Sequence, residues 1–514
     1  MPVSYQSHKL CGGLTVNQFY SSLVITYTMS KLTANLIASI SIICLGSLQF
    51  GYHMAELNSP ESVMTCSKDV KGGGPYKDTW FGKHGYKQCI EMENEQFGMV
   101  TSIFSIGGLI GSFYVGKIAD TIGRKKTSLI HSILYFIGSG INSFSDSYHQ
   151  LLVGRFICGL GAGSALVVTS LLINELAPTS VKGLLGSMNQ VSINVGILFT
   201  QLLSLNWANN NQWRLLLLMG SIIASINFIL VLVYLDESPM WLVVNGKLDE
   251  AFTILHKLRG GQYNELRNEV NSWKSGNNQN NEEIGEEGVG LFESENGNSN
   301  QFQDHDSTTI SLSQYLTDKQ YRPSVIVSTG ILVFQQFDGI NSIIFYGVNI
   351  LIGIFPNHAI IINCLISTVN VIVTFLSAQY VDKLGRKPLL LTSVTFLGIA
   401  TILMALGIIN TNATLSIIGT FTYITFFAVG LGPIPFLLVG EVTQPRAKAS
   451  AQSWGTAMNW MATFLVGYLF PILKTNLGGY VYFIFLIMCG LSFLFIKYQI
   501  PETKGKSNYL QVWQ

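Results

Sequence analysis

Charge is what this chain has least of: 11% of its 514 residues are Asp, Glu, Lys or Arg, where a soluble globular protein carries roughly 25%. Neither sign dominates, with 30 Lys and Arg against 29 Asp and Glu for a net charge of +1. That balance excludes a basic nucleic-acid surface and a solvated acidic tail as global features. Cysteine is sparse too, and the 7 residues show no CxxC pair and no Cys/His cluster, so no metal site is expected. No cleavable leader is expected either. Phe19 to Tyr27 is apolar but short, uncharged on its leading side and without a small-residue cleavage site. The expectation is a disordered extension over residues 1–31, with Met29 as an alternative start. A search for a nucleophile or phosphate loop ends the same way. Gly159 to Gly163 has no preceding strand and no Lys-Ser pair after it, so neither an enzyme nor a cofactor is expected.

What the chain has in abundance is apolar length, with 48% hydrophobic residues and a mean hydropathy of +0.37. A membrane-spanning helix needs roughly 20 mostly apolar residues. Runs of that kind begin near residues 32, 97, 127, 151, 184, 214, 323, 359, 388, 416, 449 and 477. They predict an all-α membrane protein of two six-helix bundles, residues 32–235 and 323–500. A polar linker over 236–322 separates them, helical at Leu248 to Leu258 and low in complexity from Asn277 to Gly297, and a short tail covers 501–514.

The two sets of runs repeat each other. Gly116, Asp120, Gly123, Arg124 and Lys125 recur 262 positions later as Ala378, Asp382, Gly385, Arg386 and Lys387. Glu175 with Lys182 recurs as Glu441 with Arg446, and Glu237 as Glu502. Internal duplication of this sort is how many carriers are built around a central site. The positive-inside rule applied to Arg124 to Lys126, Lys383 to Lys387, Arg446, Lys448, Lys504 and Lys506 places both termini and the linker in the cytosol. Five lysines between Lys68 and Lys87 argue the other way, but they sit mid-loop beside Glu91, Glu93 and Glu95. The favoured topology makes Asn412, in Asn412-Ala413-Thr414, a candidate glycosylation site. It also puts Cys66 and Cys89 in a non-cytosolic loop, as a candidate disulfide or as two free thiols. Cys44, Cys158, Cys364 and Cys489 lie in apolar runs and read as small core residues.

Polar side chains are costly in a membrane helix and tend to face a bundle interior or a cavity. Ser187, Gln190, Asn194 and Gln201 fall on one face of the fifth run, and Asn363, Ser367, Asn370 and Thr374 on one face of the eighth. The seventh adds Gln335, Gln336 and Asn341 around Asp338-Gly339, a pair suited to breaking a helix and exposing backbone to a ligand. Uncharged donors and acceptors suit a neutral polyhydroxylated solute, with Phe345, Tyr346 or Phe436 available to stack on its ring. Interhelical hydrogen bonding is the alternative reading of the same stripes. The spacing of Gly107, Gly111, Gly159 and Gly163 implies close helix packing only.

The motifs GSLQFGY (46–52), GxxxDxxGRKK (116–126), GRFICGLGAG (154–163), NELAPTSVKG (174–183), DESPMWL (236–242), FQQFDGIN (334–341), DKLGRK (382–387), GPIP (432–435) and PETKG (501–505) resemble, in order and spacing, the sugar porter family of the major facilitator superfamily. Fungal members, including those of the vacuolar membrane, are the most similar in appearance. The resemblance covers residues 32–506 and implies a monosaccharide carrier that alternates access, functional as a monomer in a lipid bilayer, with Gln190, Gln335, Gln336, Asn341 and Asn370 at sugar-contacting positions. Leu332, Asp338, Phe436 and Thr463 depart from the family pattern and leave fewer hydrogen bonds for the solute. The resemblance makes Asp120, Arg124, Glu175, Lys182, Glu237, Asp382, Arg386, Glu441 and Arg446 a cytosolic gate, weakened where Lys182 and Met240 replace arginines. His53 stands where proton-coupled relatives carry aspartate, facing Arg155, with Glu56 one turn on. Together these three form a candidate proton or pH site, though facilitated diffusion is the favoured expectation. A polyol symporter and a non-transporting sugar sensor are the rivals; the short segment after PETKG counts against the sensor.

Overall fold

The computed structural model describes residues 33–513, apart from 69, 71–73, 179–180, 261–262, 265, 269, 272–309, 353–357, 445–446 and 507–508. The expected extension 1–31, the low-complexity centre of the linker and Arg446 lie outside the described residues, as do the side chains of Lys182 and Asp382. Among the described residues there is helix and no strand. The first half is built from α1 (Ala34–Ala55), α2 (Asn94–Ile122), α3 (Arg124–Ser143), α4 (Tyr148–Leu176), α5 (Lys182–Trp207) and α6 (Trp213–Tyr234). The second half is built from α7a (Arg322–Phe337), α7b (Ile340–Ile352), α8 (Ala359–Ala378), α9 (Arg386–Ile409), α10a (Ala413–Val429), α10b (Ile434–Val442), α11 (Lys448–Leu477) and α12 (Val481–Gln499). Each apolar run thus corresponds to one helix, or in two cases to a pair.

Local chemistry sets the starts. Thr33 caps α1 by accepting from the Leu36 amide at 3.1 Å, and the Glu93 amide donates to Gln96 at 3.0 Å as part of a capping box on α2. The α10a cap is Asn412, whose side chain accepts from the Leu415 amide at 3.1 Å. Nine segments among the described residues are long and apolar enough to cross a membrane, one of them, Ser450–Gln499, holding both α11 and α12. The polar α3 and α5 fall outside that count. Outward faces are apolar: Ile222, Ile226, Ile229 and Val233 on α6, and Ile487, Leu491 and Leu494 on α12, are all exposed. A surface of this kind belongs in lipid.

Within the first half α2 and α3 pack on α4, α3 on α6, and α1 on α5; within the second, α9 packs on α10a and α12, and α7a on α11. The halves meet where α2 lies along α11 and α5 along α8, pairs that the internal repeat relates to each other. Glycine allows the tightest of these approaches. A Cβ on Gly107 would stand 2.2 Å from the Phe156 carbonyl oxygen, and one on Gly163 would stand 2.1 Å from that of Gly108.

The two ends of the molecule differ. At one end Cys66 and Cys89 are bridged, in a loop pinned to α6 by Trp213 Nε1 donating to Gln88 O at 2.7 Å and by Arg214 donating to Lys87 O at 2.8 Å. At the other end lie the repeated charges. There the linker helix Leu248–Arg259 is tied to α1 by Asn35 donating to Lys257 O at 3.0 Å. Arg259 donates to the Leu176 carbonyl at the end of α4 at 3.0 Å.

Candidate functional site

Two interrupted helices frame the interior between the halves. α7 breaks at Asp338 and Gly339, where the glycine takes φ +105°, a conformation that a side chain would strain. α10 breaks between Val429 and Ile434, in the stretch holding Pro433. Gln335, on α7a, spans the gap between them by donating to the Leu431 carbonyl at 2.6 Å. Its own oxygen accepts from Asn459 Nδ2 on α11 at 2.8 Å. Gln336 donates to Asn459 at 3.2 Å and accepts from Asn341 of α7b at 2.7 Å. Gln335, Gln336, Asn341 and Asn459 are thus a single buried amide network joining α7a, α7b, α10 and α11. Phe436 is half-buried on α10b and packs against the core.

The stripes on α5 and α8 face each other across the seam. Asn194 donates to Asn370 at 3.2 Å and to Thr374 at 2.8 Å, Gln190 donates to Asn194 at 3.3 Å, and Asn363 donates to Gln201 at 2.5 Å. The residues expected to form one site therefore divide into two sets, one inside the second half and one bridging the halves. In this closed arrangement they bond one another, as membrane helices do when hydrogen bonds hold them together, and the Asn341 side-chain oxygen alone among them is buried without a partner.

Three residues that the sequence reading passed over complete the picture. Asn459 has a legible signal, because Ser453, Thr456, Asn459 and Thr463 form a buried stripe on α11 like those on α5 and α8. Trp460 sits edge-on to Phe50 at 5.3 Å and to Phe104 at 5.7 Å, its ring against Gly108 of α2. Asn58, just past α1, donates to Ile344 O at 2.9 Å and accepts from the Val348 amide at 3.0 Å, holding α7b to the first half at the disulfide end. No spacing rule flags an asparagine that inserts between the carbonyl and amide of one turn inside a helix far along the chain. Phe345 and Tyr346, expected as possible stacking residues, are buried in the same closure, where Tyr346 donates to Gly467 O at 2.8 Å.

At the charged end the repeat becomes geometry. Arg124 grips Glu175 with Nε at 3.2 Å and Nη2 at 2.9 Å and reaches Asp120 at 3.0 Å. Arg386 grips Glu441 with Nε at 3.1 Å and Nη2 at 2.7 Å. Paired forks of this kind are directional and strong. Glu237 accepts from the Arg124 and Lys125 amides at 2.8 and 3.2 Å; Glu502 accepts from the Arg386 and Lys387 amides at 3.0 and 3.1 Å. Each carboxylate thereby caps the exposed amides of a helix N-terminus, α3 or α9, where a negative charge is favoured. Gly123 and Gly385 make the turns, with φ of +95° and +98°. All these pairs lie within one half, between neighbouring helices.

His53, Glu56 and Arg155 form a wholly buried trio. Glu56 takes His53 Nδ1 at 3.0 Å and Arg155 Nη1 at 2.8 Å, while Arg155 also donates to the His53 carbonyl at 2.7 Å. The His53 ring stacks on Tyr135 at 4.9 Å and Arg155 lies over Phe104 at 4.5 Å. The acid and the guanidinium neutralise each other.

Interrupted helices beside a buried polar set, between two repeat-related bundles in an apolar belt, define a membrane carrier of the major facilitator fold. Solved structures agree on that fold: a partially occluded inward-open xylose transporter from E. coli matches with TM-score 0.71 at 23% identity, covering 93% of this chain and 100% of that one. The chain matches the family described as sugar (and other) transporter over residues 39–513, and it belongs to that family. Its relatives include the Saccharomyces cerevisiae probable metabolite transport protein YBR241C, 45% identical over 95% of this chain and 96% of the relative. A second is vacuolar protein sorting-associated protein 73 of the same yeast, 41% identical over 92% and 95%. A third is the chicken facilitated glucose transporter member 3 of solute carrier family 2, 29% identical over 93% and 91%. As a member of a transporter family the protein is not an enzyme.

Proposed function

We propose that this protein carries a neutral monosaccharide of the hexose type across its membrane by facilitated diffusion, the two halves rocking about a solute held between them. The observation that carries the reading is the amide network of Gln335, Gln336, Asn341 and Asn459 at the junction of the α7 and α10 breaks. It offers donors and acceptors with no net charge, the chemistry that a sugar's hydroxyls require. In the closed arrangement these groups bond each other; a sugar replaces those partners when the seam opens. Gln190, Asn194 and Asn370 supply the facing wall from α5 and α8. The chicken relative is named as a facilitated glucose transporter, and a solved structure of this fold holds 6-bromo-6-deoxy-D-glucose, which favours a sugar ring over a polyol. The neutralised Glu56–Arg155 pair supports a passive cycle, since that position needs no co-transported ion to balance it.

The charged end is assigned to the cytosol together with both termini, and the disulfide end to the opposite side, in a vacuolar or plasma membrane. The paired arginines at the cytosolic end act as the gate: intact, they hold neighbouring helices of each half together; parted, they let that end open. The test is uptake by the purified protein in liposomes, offered labelled hexoses, pentoses and inositol. Saturable entry of a hexose without uphill accumulation under a proton gradient is expected. Inactivity towards the whole panel would favour a sensor and sink the proposal, and Asn341→Ala should cut uptake at unchanged protein abundance.

A further inference from the structure

A second acid lies inside the membrane-spanning part of the molecule and serves neither the amide network nor the charged end. Asp338 follows α7a immediately before Gly339, and it is completely buried. Sequence reasoning placed this pair where backbone would meet a ligand. The structure directs the carboxyl into the interior of the second half. Ser492 and Cys489 of α12 lie beside it, Phe485 of α12 covers the adjacent glycine, and Tyr423 of α10a donates to the Asp338 carbonyl at 2.8 Å. Neither carboxyl oxygen has a hydrogen-bond partner, and the hydroxyls of Ser492 and Tyr482 are without one as well. The titratable groups around it are Tyr423 from α10a and Cys489 from α12. Among the described residues no Lys, Arg or His is ion-paired with it.

The contrast with Glu56 is instructive. That acid is equally buried but has a guanidinium and an imidazole against it. An ionised carboxylate with no cation against it, and only a serine hydroxyl and a thiol beside it, is poorly tolerated in apolar surroundings, whereas the same group carrying a proton is neutral and has an O–H to donate to a neighbouring hydroxyl.

We propose that Asp338 is a proton-binding site of this carrier, filled in the closed arrangement and emptied when α7b swings away from α1 and admits water to the α7 break. The step is a simple exchange: the carboxylate takes a proton from that water as the break closes and returns it to the same water when the break opens. Because α7b is the segment that Asn58 holds at the disulfide end, the site communicates with the medium on that side. Closure, and with it the turnover of the carrier, depends on the pH there, yet no proton crosses the membrane, in keeping with facilitated diffusion. The effect on transport rests on the alternating-access reading above; the proton occupancy itself does not.

Two measurements separate those layers. Infrared spectra of the purified full-length protein, titrated from acid to alkali, should show the C=O stretch of a buried protonated carboxyl that disappears in Asp338→Asn. A wild-type spectrum without that band, or a band that persists in the variant, overturns the site whether or not any sugar moves. In proteoliposomes exchanging a labelled hexose, raising the pH at the disulfide end alone should slow the wild type several-fold and leave Asp338→Asn at a constant rate. A pH response retained by the variant, or one sensed equally from both sides, overturns the link to closure. Asp338→Ser serves as the second variant where the amide does not fold.

Discussion

Asn58→Ala removes the two hydrogen bonds that fasten α7b to the first half at the disulfide end. Both are well formed, at 2.9 Å to the Ile344 carbonyl and 3.0 Å from the Val348 amide, and Asn58 is almost wholly buried. A buried hydrogen bond of this sort contributes about 1 kcal/mol net, so the pair favours closure of that end by about 2 kcal/mol. The open form gains water at the same groups, and the loss falls on the closed form alone. Removing the pair should therefore raise the population open at the disulfide end by roughly thirty-fold, since about 1.4 kcal/mol is a factor of ten. Spin labels on Glu95 at the start of α2 and Tyr480 before α12, both exposed and on opposite halves, read that opening as a longer distance by pulsed electron resonance. The variant should shift weight to the long distance while a label pair at the charged end stays put. An unchanged distribution would refute the idea that Asn58 holds the seam, and widening at the charged end instead would refute the assignment of α7b as the moving part.

Further outcomes follow from the same geometry. Asn459→Ala leaves Gln335 and Gln336 without their shared partner and should depress sugar exchange at least ten-fold at unchanged abundance; near-normal exchange would remove Asn459 from the site. Glu237→Ala and Glu502→Ala each uncap a helix N-terminus and should each lower stability by about 1 kcal/mol, read as similar falls in melting temperature; a large effect from one and none from the other would break the claimed equivalence of the halves. Cys66→Ser opens a loop whose ends are 23 residues apart and should cost roughly 3 kcal/mol by the chain-entropy relation, with the same loss on reducing the wild type; insensitivity to reductant would mean the thiols are not bridged in the membrane.

Much of the architecture is legible without coordinates because lipid imposes a one-dimensional rule. A helix must be apolar for its full crossing length, so starts near 127 and 388 can be read directly and are matched by helices beginning at Arg124 and Arg386. The stripes on α5 and α8 are legible for a related reason, since helical periodicity fixes which residues share a face. Asn459 was equally accessible to that rule. Asn58 was not, because its partners are backbone groups 286 and 290 positions away, and no local pattern encodes such a meeting.

Sequence alone thus settled the class of protein, the duplication and the polar character of the interior, since each is a matter of composition or of spacing along one helix. Tertiary structure alone decided the partners. It divided the expected site into an amide network within the second half and a bridge across the seam. It also showed that the repeated charges close within each half and that Glu56 is neutralised. Finally, it turned the Asp338 carboxyl into the interior of the second half, with no ion-pair partner among the described residues. Those outcomes depend on how rigid helices lie against one another, and it is that packing which determines whether a buried polar group meets a neighbour, a solute or nothing.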